Sequence, residues 1–367
     1  MNLVIVKAET AWAGSPFNFD IVWHVAADHV SLTTLKIEAR EEIWPLRQPF
    51  RISRGSRTEA CVVVVSVNDG QHTGRGEGVA IARYNQNTAS VLAQIESIRR
   101  VNDLDRNKLQ QLLAPGAARN ALDCALWDLE AKRSGKHVWE LANIPITDQI
   151  ETSFTISLDT PAKMAAAAQG YSKSFREHGG APGPLKLKLY GGDAVDLARV
   201  EAVHEVAPEA RLLIDANESW SVEHYRKTVP ALAELGVELI EQPFPADTDE
   251  VLETLDHPIP ICADESCHTT ADLPRLKNCY AVINVKLDKT GGLTGALQLC
   301  QHARENNFKL LIGCMVCTSL SIAPARLLAS NAEWVDLDGP LLLARDRDHG
   351  LHYQNGKIGM PASGLWG

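Results

Sequence analysis

From about residue 147 onward, short apolar runs alternate with longer segments of helical periodicity. Each short run is almost continuously apolar and several end in a charged residue, which is typical of buried parallel strands. Eight such runs occur, at 152–157, 185–189, 211–215, 237–241, 259–264, 282–286, 310–314 and 334–337. The segments between them repeat apolar residues as amphipathic helices do. Eight strands alternating with helices predict a closed (β/α)₈ barrel, of the TIM type, over residues 147–344.

The chain before the barrel alternates apolar and polar residues, as strands of an antiparallel sheet do. Three strands are predicted, at 35–39, 60–67 and 74–78. A helix is predicted at 117–132, with Gly135 at its end. Between the first two strands, a loop at 49–58 carries three arginines, and it is either an anion clamp or a solvated loop.

These patterns predict an α+β capping domain over residues 34–146. An irregular, glycine-containing tail, residues 345–367, is expected to pack back onto it. Residues 1–33 match neither pattern, and we interpret them as an N-terminal extension of unknown role.

Composition narrows the class of protein. The net charge is −10 and no basic stripe occurs, which argues against nucleic acid as a partner. No apolar run approaches the roughly 20 residues of a membrane span. The 8 cysteines lie mostly in apolar patterns, and no second pair completes a zinc site with Cys314 and Cys317. We therefore expect a cytoplasmic protein with reduced thiols, either a monomer or a homo-oligomer.

Three acidic residues end predicted strands at a regular interval. Asp215, Glu241 and Asp264 stand roughly 25 residues apart, the length of one strand, one loop and one helix. Because the carboxyl ends of barrel strands meet at one face, we expect the three carboxylates to converge there. Such a cluster repels itself unless a cation lies within it, and oxygen ligands favour a hard ion such as Mg²⁺. The three acids are the predicted metal ligands.

Two lysines flank the acids. Lys188 ends the strand before Asp215, and Lys286 ends the strand after Asp264. This arrangement suggests proton transfer at the carbon beside a metal-bound carboxylate, with the two lysines as acid and base. Burial near a dication would lower a lysine pKa from its usual value of roughly 10.4. Lys186 shares a strand face with Lys188 and is expected either to contact the substrate carboxylate or to form a structural ion pair.

A further pair of acids ends the eighth predicted strand. Asp336 and Asp338 are two residues apart and so lie on one side of it. They either hold a substrate ammonium group or cap the following turn. No phosphate-binding loop and no nucleophile elbow is found in the sequence.

These residues resemble the enolase superfamily and, within it, the muconate lactonizing enzyme subgroup. The likeness is carried by Lys186-x-Lys188, by the three acids, and by the segment from Lys286 to Gly292. A lysine or histidine base beside Mg²⁺ is the general pattern of such sites. Segments 54–57, 116–123, 215–220 and 336–340 are similar to those of the dipeptide epimerases. The resemblance covers about residues 35–366.

The resemblance implies an isomerase that interconverts L-Ala-L-Glu and L-Ala-D-Glu in the recycling of peptidoglycan (murein) peptides. Mg²⁺ would be the cofactor, and Lys188 and Lys286 would carry out a two-base 1,1-proton transfer through an enediolate. By this resemblance, Asp336 and Asp338 bind the ammonium group of the dipeptide, and Arg57 binds the glutamate side chain. Lys186 contacts the carboxylate. The remaining surface of the dipeptide is lined by Thr155, Cys314 and Val316.

Other chemistry remains open at this point. Many dipeptide epimerases carry Glu where this chain has Cys317, so the range of dipeptides is not determined. N-acylamino acid racemisation, o-succinylbenzoate synthesis or lactone isomerisation would use the same central residues. Their substrates lack the free ammonium group that Asp336 and Asp338 would hold. A non-catalytic binding protein on the same barrel is the remaining alternative.

Overall fold

The computed structural model describes residues 35–177 and 183–367, so the extension predicted for residues 1–33 lies outside the described residues. Their strands form one antiparallel sheet of three strands, one parallel sheet of eight, and a second small sheet of three. Within these two ranges, no helix is both long enough and apolar enough to cross a bilayer.

The cap begins with an antiparallel sheet that helices cover on one face. Its strands are β1 (Lys36–Ile52), β2 (Gly55–Asn68) and β3 (Thr73–Gly78), paired in that order. The helices are α1 (Thr88–Ile98), α2 (Arg106–Leu112), α3 (Ala117–Ser134) and α4 (Val138–Leu141). As predicted, α3 ends at Gly135, which adopts a left-handed φ of 65°.

The segment 49–58, interpreted from its composition as a loop, is the tip of a long hairpin. Strands β1 and β2 stay paired as far as Ile52 and Gly55, so only Ser53 and Arg54 turn the chain. The loop prediction was wrong because Arg, Ser and Gly suggest a loop, whereas cross-strand pairing decides the conformation here. The hairpin carries Arg54 and Arg57 to the mouth of the barrel.

Strand β3 packs directly on helix α3 through glycine. A Cβ atom at Gly74, Gly76 or Gly78 would overlap the backbone carbonyl of an alanine on α3. The alanines are Ala125, Ala121 and Ala117, respectively. Two strand residues rise about as far as four helix residues, so the two series stay in register. The strand therefore approaches the helix backbone at three successive points.

The barrel contains the eight predicted parallel strands, each close to its expected bounds. After the short β4 (Ile150–Glu151), they are β5 (Phe154–Ile156), β6 (Leu185–Lys188), β7 (Leu212–Asp215), β8 (Val237–Glu241), β9 (Ile261–Ala263), β10 (Val282–Val285), β11 (Lys309–Gly313) and β12 (Trp334–Asp336). They are hydrogen-bonded in sequence order. The backbone N–H of Ser153 donates to the carbonyl of Val335 at 2.8 Å and joins the two ends of the sheet. The predicted barrel is confirmed.

Helices of very different length connect the barrel strands. They are α5 (Pro161–Glu177), α6 (Asp196–Val206), α7 (Val222–Glu234), α8 (Leu273–Leu276), α9 (Leu287–Thr290), α10 (Leu293–Glu305) and α11 (Ser319–Ala329). Between β8 and β9 the connection is a 3₁₀ turn at Asp249–Thr254. The shortest of these helices, α8 and α9, precede and follow β10 in the chain, and α9 begins directly after Lys286.

The C-terminal tail returns to the cap. Strands β13 (Tyr353–Gln354) and β14 (Lys357–Ile358) form a small sheet with β4. The indole of Trp366 donates to the carbonyl of Cys124 at 2.9 Å, and the N–H of Gly367 donates to Asp128 Oδ1 at 2.9 Å. Both acceptors belong to α3, so the tail packs on the capping domain as expected.

Candidate active site

The register of the barrel strands brings the predicted charges side by side. Lys188 pairs with Asp215 across β6 and β7, and Asp215 pairs with Glu241 across β7 and β8. Asp264 follows β9 directly, and Lys286 follows β10. The five residues therefore stand at the carboxyl ends of adjacent strands, where barrel active sites are built.

Each predicted metal ligand lies against a lysine. Lys188 Nζ is 2.5 Å from Asp215 Oδ2, and Lys286 Nζ is 2.6 Å from Asp264 Oδ2. Lys186 Nζ is 2.6 Å from Glu241 Oε2 and 3.4 Å from Asp215 Oδ2. Acids and bases thus form one continuous network of ion pairs across the end of the barrel.

The three acids have the chemistry of a hard-cation site, although their side chains do not form a ready cage. Among residues 35–177 and 183–367, no three His, Cys, Asp or Glu side chains form a group with metal-binding geometry. Asp215, Glu241 and Asp264 are nevertheless only 0%, 1% and 3% exposed. Glu241 Oε2 accepts no hydrogen bond of good geometry, even with Lys186 beside it. These buried, convergent carboxylates fit a divalent ion, and their role as ligands stays a prediction.

Burial and mutual charge shift the pKa values of the site. Burial raises carboxyl pKa values, but the neighbouring ammonium groups outweigh it and hold the pKa of Asp215 at about 2. For Glu241, burial and the charge of Asp215 prevail, and the pKa is raised. Burial would lower the pKa of Lys286, yet Asp264 and Glu241 hold it above its usual value. These ion pairs keep Lys286 in its protonated form at neutral pH.

Asp336 and Asp338 reach the same cavity from the last strand. Asp336 Oδ2 lies 2.6 Å from Lys186 Nζ, and its Oδ1 accepts a hydrogen bond from Ser153 Oγ at 2.7 Å. Asp338 Oδ2 accepts from the N–H of Thr155 at 2.6 Å. Burial and the charge of Asp336 raise the pKa of Asp338 to about 7. The two carboxyl groups therefore connect the last strand to β5, β6 and the segment before β5, and they also line the pocket.

Most predicted site residues face a single cavity between cap and barrel. Of the twelve, the cavity wall includes Arg57, Thr155, Lys188, Asp264, Lys286, Cys314, Val316, Asp336 and Asp338. The other three, Lys186, Asp215 and Glu241, lie beneath this wall and are at most 1% exposed. The structure thus brings the predicted set together in two layers.

The cap contributes charges of a different kind. Arg54 donates to Glu265 Oε1 at 2.6 Å and to Glu218 Oε2 at 3.0 Å, and so binds two barrel loops. Arg83 donates to the same Glu218 from a second cap segment. Arg57 has no hydrogen-bonded or ion-paired side chain in the described part of the protein. A cation without a partner at the mouth of the cavity is suited to an anionic substrate group.

Several site residues escaped the sequence analysis. Lys289 Nζ donates to Asp264 Oδ1 at 2.7 Å, and Asn284 Nδ2 donates to Glu241 Oε1 at 2.7 Å. Lys289 lies one helical turn beyond Lys286, a spacing that indicates a shared face. Arg83 and Tyr84 line the cavity from a 3₁₀ turn of the cap. No sequence pattern indicated that this turn reaches the barrel.

Comparison with known families supports the same architecture. Residues 34–142 match the model described as the mandelate racemase/muconate lactonizing enzyme N-terminal domain. Residues 162–365 match the model described as the enolase C-terminal domain-like family. The two matches correspond to the cap and to most of the barrel.

Two characterised relatives are similarly close in sequence. The L-Ala-D/L-Glu epimerase of Escherichia coli K12 is 43% identical over 324 residues, which cover 88% of this chain and 98% of that protein. The N-acetyl-D-glutamate racemase of a Pseudoalteromonas species is 42% identical over 310 residues, covering 83% and 95%.

Solved structures agree with these relatives. An enolase family member from Agrobacterium tumefaciens, with sodium and L-Ala-L-Glu bound, is 45% identical with a TM-score of 0.86 and covers 91% of this chain and 100% of that one. A dipeptide epimerase from Enterococcus faecalis, complexed with Mg and L-Leu-L-Tyr, is 27% identical with a TM-score of 0.82 and covers 90% and 98%. The chain belongs to the mandelate racemase/muconate lactonizing enzyme family of the enolase superfamily.

Proposed function

We propose that the protein epimerises dipeptides at the α-carbon of their C-terminal residue and interconverts L-Ala-L-Glu and L-Ala-D-Glu. The observation that carries this proposal is the placement of Lys188 and Lys286. They end β6 and β10, which are four strands apart in a ring of eight and therefore opposite each other. Both line the same cavity. An α-carbon between them has one amine on each face.

Two amines are needed because epimerisation delivers a proton to the face opposite the one that lost it. One lysine removes the α-proton as base, and the other, as an ammonium ion, returns a proton from its own side. The ion pairs of Lys188 with Asp215 and of Lys286 with Asp264 hold each Nζ at the rim of the cavity. The reverse reaction exchanges the two roles.

We assign Asp215, Glu241 and Asp264 as the residues that would hold Mg²⁺. When bound, Mg²⁺ would neutralise the acids, which favours a neutral lysine base, and would stabilise the charge that develops on the substrate carboxylate. Lys186, already within 3.4 Å of two of these acids, adds a fixed positive charge below the cavity. Its burial keeps that charge away from water and so preserves its strength.

The two ends of the dipeptide have separate sites in this proposal. The ammonium group is taken by Asp336 and Asp338, and the glutamate side chain by the unpaired guanidinium of Arg57. Thr155, Cys314 and Val316 line the wall between these two sites. Among the residues assigned to the dipeptide ends and to this wall, Arg57 alone is cationic, and its side chain has no ion-pair partner among the described residues.

Racemisation of N-acetylglutamate is a second candidate, because a relative with that activity is 42% identical. Alanylglutamate and N-acetylglutamate are both glutamates acylated on nitrogen. The reacting carbon, the carboxylate and the side chain are therefore the same, and the two substrates differ in the acyl group, where alanyl carries on its α-carbon an ammonium group and a methyl group that acetyl lacks. Asp336 and Asp338 favour the dipeptide, because Lys186 is ion-paired with Asp336 but not with Asp338, and an N-acetyl substrate brings no cation to the buried Asp338.

Exchange of the α-proton in D₂O tests the proposal. L-Ala-L-Glu, L-Ala-D-Glu, N-acetyl-L-glutamate and a neutral dipeptide are compared by proton NMR with Mg²⁺ present. We expect rapid exchange and inversion for both alanylglutamates and slow exchange for N-acetylglutamate. Exchange of N-acetylglutamate without exchange of any dipeptide would replace the proposed function with the second candidate.

We further propose that the enzyme works in the cytoplasm on peptides released from the cell wall. Alanylglutamate is a unit of peptidoglycan peptides, and the eight cysteines are free thiols, as in a reducing compartment. Accumulation of L-Ala-D-Glu in a deletion strain supplied with cell-wall peptides would support this role.

A further inference from the structure

Helix α9 is a single helical turn that begins directly after Lys286. All four of its residues, Leu287–Thr290, are buried. So short a helix has little stability of its own, because it makes few internal hydrogen bonds. The position of Lys286 therefore depends on what holds α9 from outside.

The cap holds the outer side of α9 through one carboxylate oxygen. Asp288 Oδ1 accepts a hydrogen bond from the N–H of Val79 and another from Asn120 Nδ2, each at 2.8 Å. Asn120 lies on α3, is 0% exposed, and also donates to the carbonyl of Glu77 at 3.2 Å. Buried bonds of this kind are costly to break, since each partner would be left unpaired.

A second cap residue secures the end of the same turn. Arg119, next to Asn120, donates to the carbonyl of Thr290 at 2.7 Å and to that of Gly291 at 3.2 Å. On the inner side, Lys289 donates to Asp264 Oδ1, while Lys286 lies against Oδ2 of the same carboxylate. Helix α9 thus lies between α3 of the cap and an acid of the active site.

We propose that Asn120 and Asp288 are positioning residues for Lys286, which they place by anchoring α9 to the cap. The proposal rests on the proposed function for its kinetic consequence. Lys188 is held differently, because it belongs to β6 and is fixed by backbone pairing with β7. Loss of the cap anchor should therefore disturb one of the two acid/base groups and spare the other.

The predicted signature is a change in the ratio of the exchange rates of the two epimers, L-Ala-L-Glu and L-Ala-D-Glu. Each lysine removes the proton from one epimer, and Lys286→Ala identifies the one that Lys286 serves. In Asp288→Leu, exchange from that epimer should fall about 10-fold further than exchange from the other, since small displacements of a reacting group are costly. Asp288→Asn keeps an oxygen for both donors and should restore the original ratio.

Two further variants complete the kinetic test. Asn120→Leu removes the donor at similar volume and should reproduce the asymmetry if Asp288→Leu fails to fold. Asp123 lies one turn along α3 and accepts a hydrogen bond from Thr294 rather than from α9. Asp123→Asn should therefore leave the exchange rates of the two epimers in their original ratio. Equal losses from both epimers in Asp288→Leu and Asn120→Leu, or the same asymmetry in Asp123→Asn, would overturn the proposal.

A chemical test separates this inference from the proposed function. Lysines are acetylated with limiting acetic anhydride, and peptide mass spectrometry gives the ratio of acetylated Lys286 to acetylated Lys188 in the same molecule. This ratio should rise about threefold or more in Asp288→Leu, because a lysine released from its ion pair is more accessible to the reagent and loses its proton more easily. If wild type exchanges no substrate, the function is wrong, and this ratio alone decides: a rise supports the anchor and an unchanged ratio overturns it.

Discussion

The barrel and the cap hold their charges in contrasting ways. Lys186, Lys188 and Lys286 are 1%, 8% and 6% exposed, and each is ion-paired within a barrel strand or directly after one. Arg54 and Arg57 lie instead on an exposed hairpin tip, and Arg57 has no partner among the described residues. The contrast suggests a division of work, in which the barrel fixes the reacting groups and the cap selects the substrate.

The largest expected effect comes from removing one reacting amine. Lys188→Ala should reduce epimerisation about 1000-fold, because a positioned general base is lost. Exchange from one epimer should persist through Lys286, so that the two reacting amines can be assayed separately. The measurement is α-proton exchange by NMR on L-Ala-L-Glu and on L-Ala-D-Glu. Lys309→Ala, at the opposite end of the barrel, is the control. Unchanged exchange from both epimers would refute the two-base scheme.

The next effect should separate selection from chemistry. Arg57→Ala should raise KM for L-Ala-L-Glu about 10- to 100-fold, the range expected for a lost charged hydrogen bond, with little change in kcat. A neutral dipeptide should be nearly unaffected. Steady-state kinetics on both substrates provide the test, with Arg57→Lys as a charge-retaining comparison. An equal loss on the neutral dipeptide would contradict the assigned role and weaken the contrast between cap and barrel.

A smaller and unselective effect is expected from the neighbouring arginine. Arg54 contacts Glu218 and Glu265 rather than open space, so Arg54→Ala should loosen the hairpin over the whole cavity. We expect kcat/KM to fall about fivefold on acidic and neutral dipeptides alike, in line with partly exposed ion pairs. Kinetics on the same two substrates distinguish it from Arg57→Ala. A loss confined to acidic dipeptides would mean that both arginines bind the side chain.

The smallest effect on activity is expected at the interface between the two parts. Burial raises the pKa of Asp123 from 3.8 to about 6, so the folded state keeps a proton that the unfolded state has already lost. The contribution of this group to stability therefore falls as the pH rises from about 4 to 6, by an amount on the order of 2 kcal/mol. Asp123→Asn should remove this pH-dependent loss of stability while leaving kcat unchanged. The free energy of unfolding of wild type and variant is measured in urea at pH 4 and pH 7. The same change with pH in both proteins would show that Asp123 titrates normally.

The same division explains what the sequence could reveal. The barrel was predictable because a buried parallel strand is a short apolar run, and because its last residue points into the site. Asp215, Glu241 and Asp264 follow directly from that rule. Their spacing, 26 residues from Asp215 to Glu241 and 23 from Glu241 to Asp264, is the length of one strand with its connection to the next.

The cap was less predictable because long-range pairing decides its structure. The arginine-bearing segment has the composition of a loop, yet pairing between β1 and β2 makes it a hairpin tip. Asn120 lies within a helix of ordinary periodicity, and only the packing of α3 on α9 shows its role. The pairing of Lys289 with Asp264 likewise depends on contacts between β9 and α9.

The glycines of β3 leave no space between strand and helix for any side chain. A methyl group on Gly76 would push against the backbone of α3 beside Ala121, and a backbone cannot rotate aside as a side chain can. The helix would have to lift, and Asn120 would move with it. A single carbon atom added to β3 would then displace the amine of Lys286 in the barrel.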